Sequence, residues 1–159
     1  MINDDIIKKV MYNCVNLAKD NARNNQYPIA AIIADQEGCV LATSISSLRK
    51  KNDPTNHPEI EAIRKATEII GSRVLDGYYL FTTLEPCPMC TSAAIWAKMQ
   101  GIVYGAYQED AIEYIRLNPN RRFSWRQISI KSREIVSNGY PNLELYEGIL
   151  REECKQLFI

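Results

Sequence analysis

Histidine is almost missing from this chain: His57 is the only one among 159 residues. A lone imidazole is more often a surface or satisfied core group than a working one, so any role for it needs partners elsewhere. Neither sign of charge is in excess, with 19 Lys+Arg against 19 Asp+Glu. That argues against a global basic field for nucleic acid and against an acidic tail. No uninterrupted apolar run is long enough to cross a bilayer. The opening MINDDIIKKV has no positive segment followed by an apolar one, so it does not read as a signal peptide, and a cytoplasmic setting is expected. Repeats, low-complexity tracts and Gly/Ser linkers are absent, and one domain over residues 1–159 is expected. The 5 cysteines are an odd number, which favours reduced thiols over a disulfide framework.

What is present is core material and alternation. At 46% hydrophobic and 24% charged, the composition suits a soluble globular unit. Ile6, Val10, Cys14, Leu17 and Ala18 recur at near-helical spacing and predict a helix over 5–23. YPIAAIIAD and CVLATSI, joined by the turn DQEG, read as a hairpin. SSLRKKNDPTN reads as a polar loop; residues 58–70 follow as a helix with Ile60, Ile63, Thr67 and Ile70 on one face, stopped by Gly71. YYLFTTLE and IVYGAY read as buried strands around a helix in PCPMCTSAAIWAKMQG. QEDAIEYIRL reads as helix, 130–137 is ambiguous, NLELYEG suits a late edge strand and ILREECKQLF a final helix. Strands alternating with helices predict an α/β fold: a three-layer α/β/α sandwich around a central sheet.

Two short segments carry chemistry. Cys87 and Cys90 stand two residues apart at a strand end and helix start, a spacing that clasps a metal or forms a redox pair. His57 also opens a helix. If neighbouring strands bring both helix starts to one end of the sheet, one imidazole and two thiolates meet. Zinc with three protein ligands keeps its fourth corner for water, the pattern of a catalytic site. Cys14, Cys39 and Cys154 have no ligand-like spacing and read as small buried hydrophobes. Glu59 has two readings. With Asn56 as N-cap it completes a capping box; beside a metal it is a proton carrier. The Cys87–Cys90 pair tips the choice towards proton transfer.

HPE followed by PCPMC resembles the H-x-E…P-C-x-x-C signature of the zinc-dependent cytidine and nucleobase deaminase superfamily. The likeness runs over roughly residues 5 to 155. It implies a cytidine deaminase-like mixed five-stranded sheet and one zinc (Zn2+) per subunit. It implies His57, Cys87 and Cys90 as ligands, Glu59 as proton shuttle, and hydrolytic loss of ammonia from a cyclic amidine. It implies a homodimer or larger homo-oligomer, and places Ala30, Ala31, Ser46 and Pro86 near the substrate; Trp96, six residues after Cys90, reads either as a pocket wall that stacks on a flat base or as core packing. NDPTNHPEIEAIRKA is similar to bacterial guanine and purine nucleoside deaminases, whereas LELYEGILREECKQLF is similar to tRNA adenosine deaminases and fungal-type cytosine deaminases. Where many relatives have a glycine this chain has Ala30, and where they have an asparagine it has Ser46, with a shorter reach. Pro58 replaces the commoner alanine.

The expected substrate is a free nucleobase or nucleoside, a purine of the guanine kind before a pyrimidine. A tRNA partner is the alternative, then cytosine, then a zinc-stabilised module without catalysis; no membrane partner is expected. Arg121, Arg122 and Arg126 interleave with Phe123 and Trp125, a pattern that binds nucleic acid or, more often, is a solvated loop. The basic run 49–51 reads as a solvated face, and Tyr27 and Glu85 flank the presumed pocket.

Overall fold

The computed structural model describes residues 1–24, 26–119 and 127–158, with the side chain of Arg49 also left aside. The segment Arg121–Arg126, singled out in the sequence, lies outside the described residues. The elements run α1 (Asp4–Arg23), β1 (Ala30–Asp35), β2 (Val40–Ile45), α2 (Leu48–Lys51), α3 (Pro58–Ile70), β3 (Tyr78–Leu84) and α4 (Pro88–Trp96). They continue with β4 (Gly101–Ala106), α5 (Gln108–Leu117), α6 (Ser132–Asn138), β5 (Glu144–Tyr146), α7 (Arg151–Lys155) and a closing 3-10 turn, Gln156–Phe158.

The strands form one five-stranded sheet in the order β2-β1-β3-β4-β5. β1 is antiparallel to β2 and β3, and β3–β4 and β4–β5 are parallel, so the sheet is mixed as expected. Successive side chains of a strand face opposite ways, and here both faces are apolar. Ala30, Ile32, Tyr79, Phe81 and Val103 join one core with α1 residues, Ala111 and Cys154. Ala31, Ile33, Leu80 and Ile102 join the other with α3, α4 and α6 residues. Two cores on one sheet make the three layers, each fully buried aromatic such as Phe81 contributing about 2–3 kcal/mol of burial.

Close approach explains the seating of α7. A Cβ on Gly105 would stand 2.1 Å from Cys154 Sγ and 3.0 Å from the Thr83 carbonyl oxygen, so only glycine lets this helix lie on β4.

Several local expectations change. α2 is a single helical turn inside the segment read as a loop. α3 buries Pro58, Glu59, Ala62 and Ala66, while Ile70 is exposed and Ile60 and Ile63 only half-buried. Small alanines let the helix lie close on β1 and β2, and the isoleucines flank that contact. α4 ends at Trp96, earlier than Gly101, because Lys98 takes a left-handed φ of 51°. Residues 130–137 resolve as α6 after a lead-in. Cys14 and Cys154 are buried thiols, but Cys39 is exposed in the β1–β2 turn. No described helix is long and apolar enough to cross a membrane.

Candidate metal centre and its cavity

The same local device builds both helix starts. His57 is the N-cap of α3 and Cys87 the N-cap of α4, and each precedes a proline. A residue before proline is pushed to extended backbone, which an N-cap also needs: His57 has φ −64°, ψ 148° and Cys87 φ −63°, ψ 168°. Neither side chain makes a capping hydrogen bond, so both are free to converge. Because His57 lies outside the regular helix, it and Glu59 escape the opposed directions that i and i+2 take within one.

Asn56 is not the N-cap, and the capping-box reading of Glu59 fails. The Asn56 amide donates to Ser47 Oγ at 2.8 Å and to Glu61 Oε2 at 3.0 Å, away from the α3 backbone. Glu59 is instead buried, 4% exposed. Its Oε1 accepts from Thr82 Oγ1 at 2.8 Å, and its Oε2 lies 3.6 Å from Cys90 Sγ.

His57 Nδ1 lies 3.6 Å from Cys87 Sγ and 3.5 Å from Cys90 Sγ, and the two sulfurs are 3.6 Å apart. Zinc bonds of about 2.3 Å to sulfur and 2.0–2.1 Å to nitrogen, at tetrahedral angles, put donors about 3.6–3.8 Å apart. The triangle therefore matches three corners of a zinc tetrahedron. Among the described residues, His57, Cys87 and Cys90 are the one group of this kind whose ligand atoms converge.

Of the three ligand groups, the surroundings favour the ligating form only at Cys87. A hydrogen bond from Cys90, helped by His57, brings the Cys87 thiol down to about 4 against its burial. Cys90 is pushed the other way by the same contact and by burial. The bond to Cys87 raises His57, against burial. Burial raises the Glu59 carboxyl, partly offset by His57. A carboxyl raised in this way both takes and returns protons closer to neutral pH.

A cavity of about 640 Å³ opens beside this cluster, and His57, Glu59 and Cys87 line it. That is within the usual range of ligand sites, ~300–1,000 Å³. Ser46 lines it as the sequence suggested. Its backbone is tied by a bond to the Ile29 carbonyl and one from Asn21 Nδ2, yet its buried Oγ has no partner among the described residues.

Four residues expected near the substrate are not among those that line this cavity. Ala30 and Ala31 are fully buried in β1, one in each core, and Ile29 reaches the cavity in their place. Pro86 is buried, its carbonyl accepting from Thr91 Oγ1, and it is not among the cavity's lining residues. Trp96 is 84% exposed and lines a separate groove of about 500 Å³ between α4 and α6, with Ile95 and Tyr140. It closes the last turn of α4, and its ring stays outside the cavity. Conversely, Asp53, Gln108, Gln127 and Ile128 line the cavity without a sequence signal of their own. Asp53 comes with the His57 loop, and the strand order and the chain's return after α5 bring the other three there.

Residues 4–106 match the family model described as the cytidine and deoxycytidylate deaminase zinc-binding region. Zinc is thus the metal to which the His57–Cys87–Cys90 triangle answers. The chain is 41% identical over 86 residues to a guanine deaminase of Bacillus subtilis, covering 54% of each chain. It is 39% identical over 89 residues to a tRNA-specific adenosine deaminase of Agrobacterium fabrum, covering 56% of this chain and 58% of that one. It thus spans about half the length of these curated relatives. A solved structure of a guanine deaminase from Nitrosomonas europaea superposes with a TM-score of 0.75 at 21% identity, covering 95% of this chain and 81% of that one. That likeness shows the fold.

Proposed function

The chain belongs to the cytidine and deoxycytidylate deaminase family, and on that premise we propose that it hydrolyses the exocyclic amine of a free nucleobase or nucleoside, releasing ammonia, with a guanine-like purine as first choice. The observation that carries the reading is a buried Glu59 carboxyl 3.6 Å from Cys90 Sγ, beside the ligand triangle and on the wall of the cavity. A closed structural site would have no use for an acid group held there by Thr82.

In this reading His57, Cys87 and Cys90 hold the zinc. The metal supplies Lewis acidity that makes water nucleophilic near neutral pH. Glu59 handles the protons. It takes one from the attacking water and delivers it to the ring nitrogen beside the reacting carbon, then takes the second from the newly added hydroxyl and gives it to the amine as the carbon–nitrogen bond breaks. The water oxygen stays on the ring and ammonia leaves. Thr82 Oγ1 fixes one oxygen of Glu59, so the other faces the reacting atoms. Ser46 offers a buried hydroxyl to the base. The choice of a purine rests on the guanine deaminase likeness.

A second reading, a tRNA adenosine deaminase, is favoured by the nearly equal identity to the Agrobacterium fabrum enzyme. The family likeness also supports a homodimer. The exposed Trp96 and Tyr140, on the groove between α4 and α6, are the face proposed for the second copy.

The test is ammonia release by zinc-loaded protein over guanine, adenine, cytosine, their nucleosides and an anticodon stem-loop, with Glu59→Ala as control. Turnover of a base or nucleoside, lost in the variant and insensitive to salt, is expected. Turnover of the stem-loop alone, falling steeply with salt, replaces this reading with the second.

A further inference from the structure

Glu85 follows the end of β3 and stands two residues before Cys87. Its side chain is 1% exposed, and both carboxylate oxygens are in use. Oε1 accepts from the Ser132 backbone N–H at 3.0 Å and from Ser132 Oγ at 3.4 Å. Oε2 accepts from the Gln108 backbone N–H at 3.0 Å, with Lys131 Nζ at 3.4 Å. Gln108 and Ser132 are the first residues of α5 and α6. The first N–H groups of a helix have no partner inside it, and the N-cap of α6, Lys131, makes no side-chain cap. One carboxylate on the zinc-ligand loop thus serves the starts of two separate helices.

A wall hangs on these contacts. The Gln108 amide Nε2 donates to the Ile130 carbonyl at 3.1 Å, and Gln127 Nε2 donates to the Gln108 carbonyl at 3.0 Å. The second bond assigns the Gln127 amide, because a flip would set two oxygens against each other. Glu85, Gln108, Gln127 and Ile128 all line the cavity that His57, Glu59 and Cys87 line. The segment 127–132 is therefore tied to the ligand-bearing loop through Glu85.

We propose that Glu85 is a positioning residue for the reaction: it sets the wall formed by Gln108, Gln127 and Ile128 against the zinc ligands, and substrate affinity depends on that setting while metal binding does not. The proposal rests on the deaminase reading above. Glu85 touches neither ligand nor metal in this role. It acts through the wall.

The test compares zinc content, kcat and KM of wild type, Glu85→Gln, Ser132→Ala, Gln127→Ala and the Glu85→Gln/Gln127→Ala pair, on whichever member of the panel the wild type turns over. Glutamine fills the same volume but sets an NH2 against one of the two helix starts. Glu85→Gln should keep full zinc and raise KM about ten-fold, with kcat within about three-fold. Ser132→Ala removes one donor only and should raise KM less, in the same direction. Should Glu85→Gln fail to fold, that variant decides the matter. In the double variant the two KM effects should not multiply, because both act on one wall. An unchanged KM, a loss of zinc together with kcat, or fully multiplying effects overturns the proposal and leaves the deaminase reading standing. A wild type silent on the whole panel overturns that reading, and this proposal with it.

Discussion

Thr82 Oγ1 donates to Glu59 Oε1 at 2.8 Å, joining the centre of β3 to the first turn of α3 beneath the ligand triangle. The bond holds a buried carboxyl in one orientation. Thr82→Val removes the donor at nearly constant volume. The expected result is full zinc content with kcat lowered about ten-fold, since one hydrogen bond on the proton carrier is lost. Metal analysis and steady-state rates on the same preparation check it.

Ser46 separates function from stability. Its Oγ is buried and has no partner among the described residues, a state that costs free energy in the folded protein. Ser46→Ala should leave the melting temperature unchanged or slightly higher. If the hydroxyl meets the substrate, KM rises several-fold. Calorimetry and kinetics read the two effects independently.

The loop that carries His57 has its own pH response. Burial works upward on the Glu61 carboxyl, but hydrogen bonds from Lys51 and Asn56 and the nearby Lys65 more than reverse it, to about 2. A folded pKa below the unfolded one gives stability that is present above the unfolded value, near 4.5, and lost as pH falls through about 2. The contribution is on the order of 2–3 kcal/mol. Thermal unfolding between pH 5 and 2, for wild type and Glu61→Gln, should show the wild-type curve falling more steeply.

Removing one ligand should empty the centre. Cys90→Ala leaves His57 and Cys87 as two donors, too few for a zinc site of this kind. Zinc content should fall to background and the melting temperature should drop, since metal binding is linked to folding. Trp96→Glu, on the exposed face between α4 and α6, should leave zinc and fold intact and shift the mass in sedimentation towards the monomer.

The ligand triangle was legible in the sequence because its geometry is local. A His or Cys before proline at a helix start must take extended backbone, and the side chain is then free to turn towards the metal. The layers were legible for the same reason: β1 and β3 are apolar on both faces, which only a doubly covered sheet explains. The capping-box alternative falls away because the Asn56 amide meets Ser47 and Glu61, contacts made across a loop. Ala30 and Ala31 lie buried in β1, and Ile29 is the residue of that segment that lines the cavity. Gln108 and Gln127 gave no signal, since nothing in their own neighbourhood places them opposite the zinc ligands. Glu85 does that, through contacts to helices far along the chain.

The most direct test of the central claim is ammonia release from guanine and guanosine by zinc-loaded wild type and by Glu59→Gln, with zinc measured in both. The account predicts turnover by the wild type and a loss of several orders of magnitude in the variant at equal zinc. Equal ammonia release from both proteins would contradict it, because the buried carboxyl beside Cys90 would then have no part in the reaction.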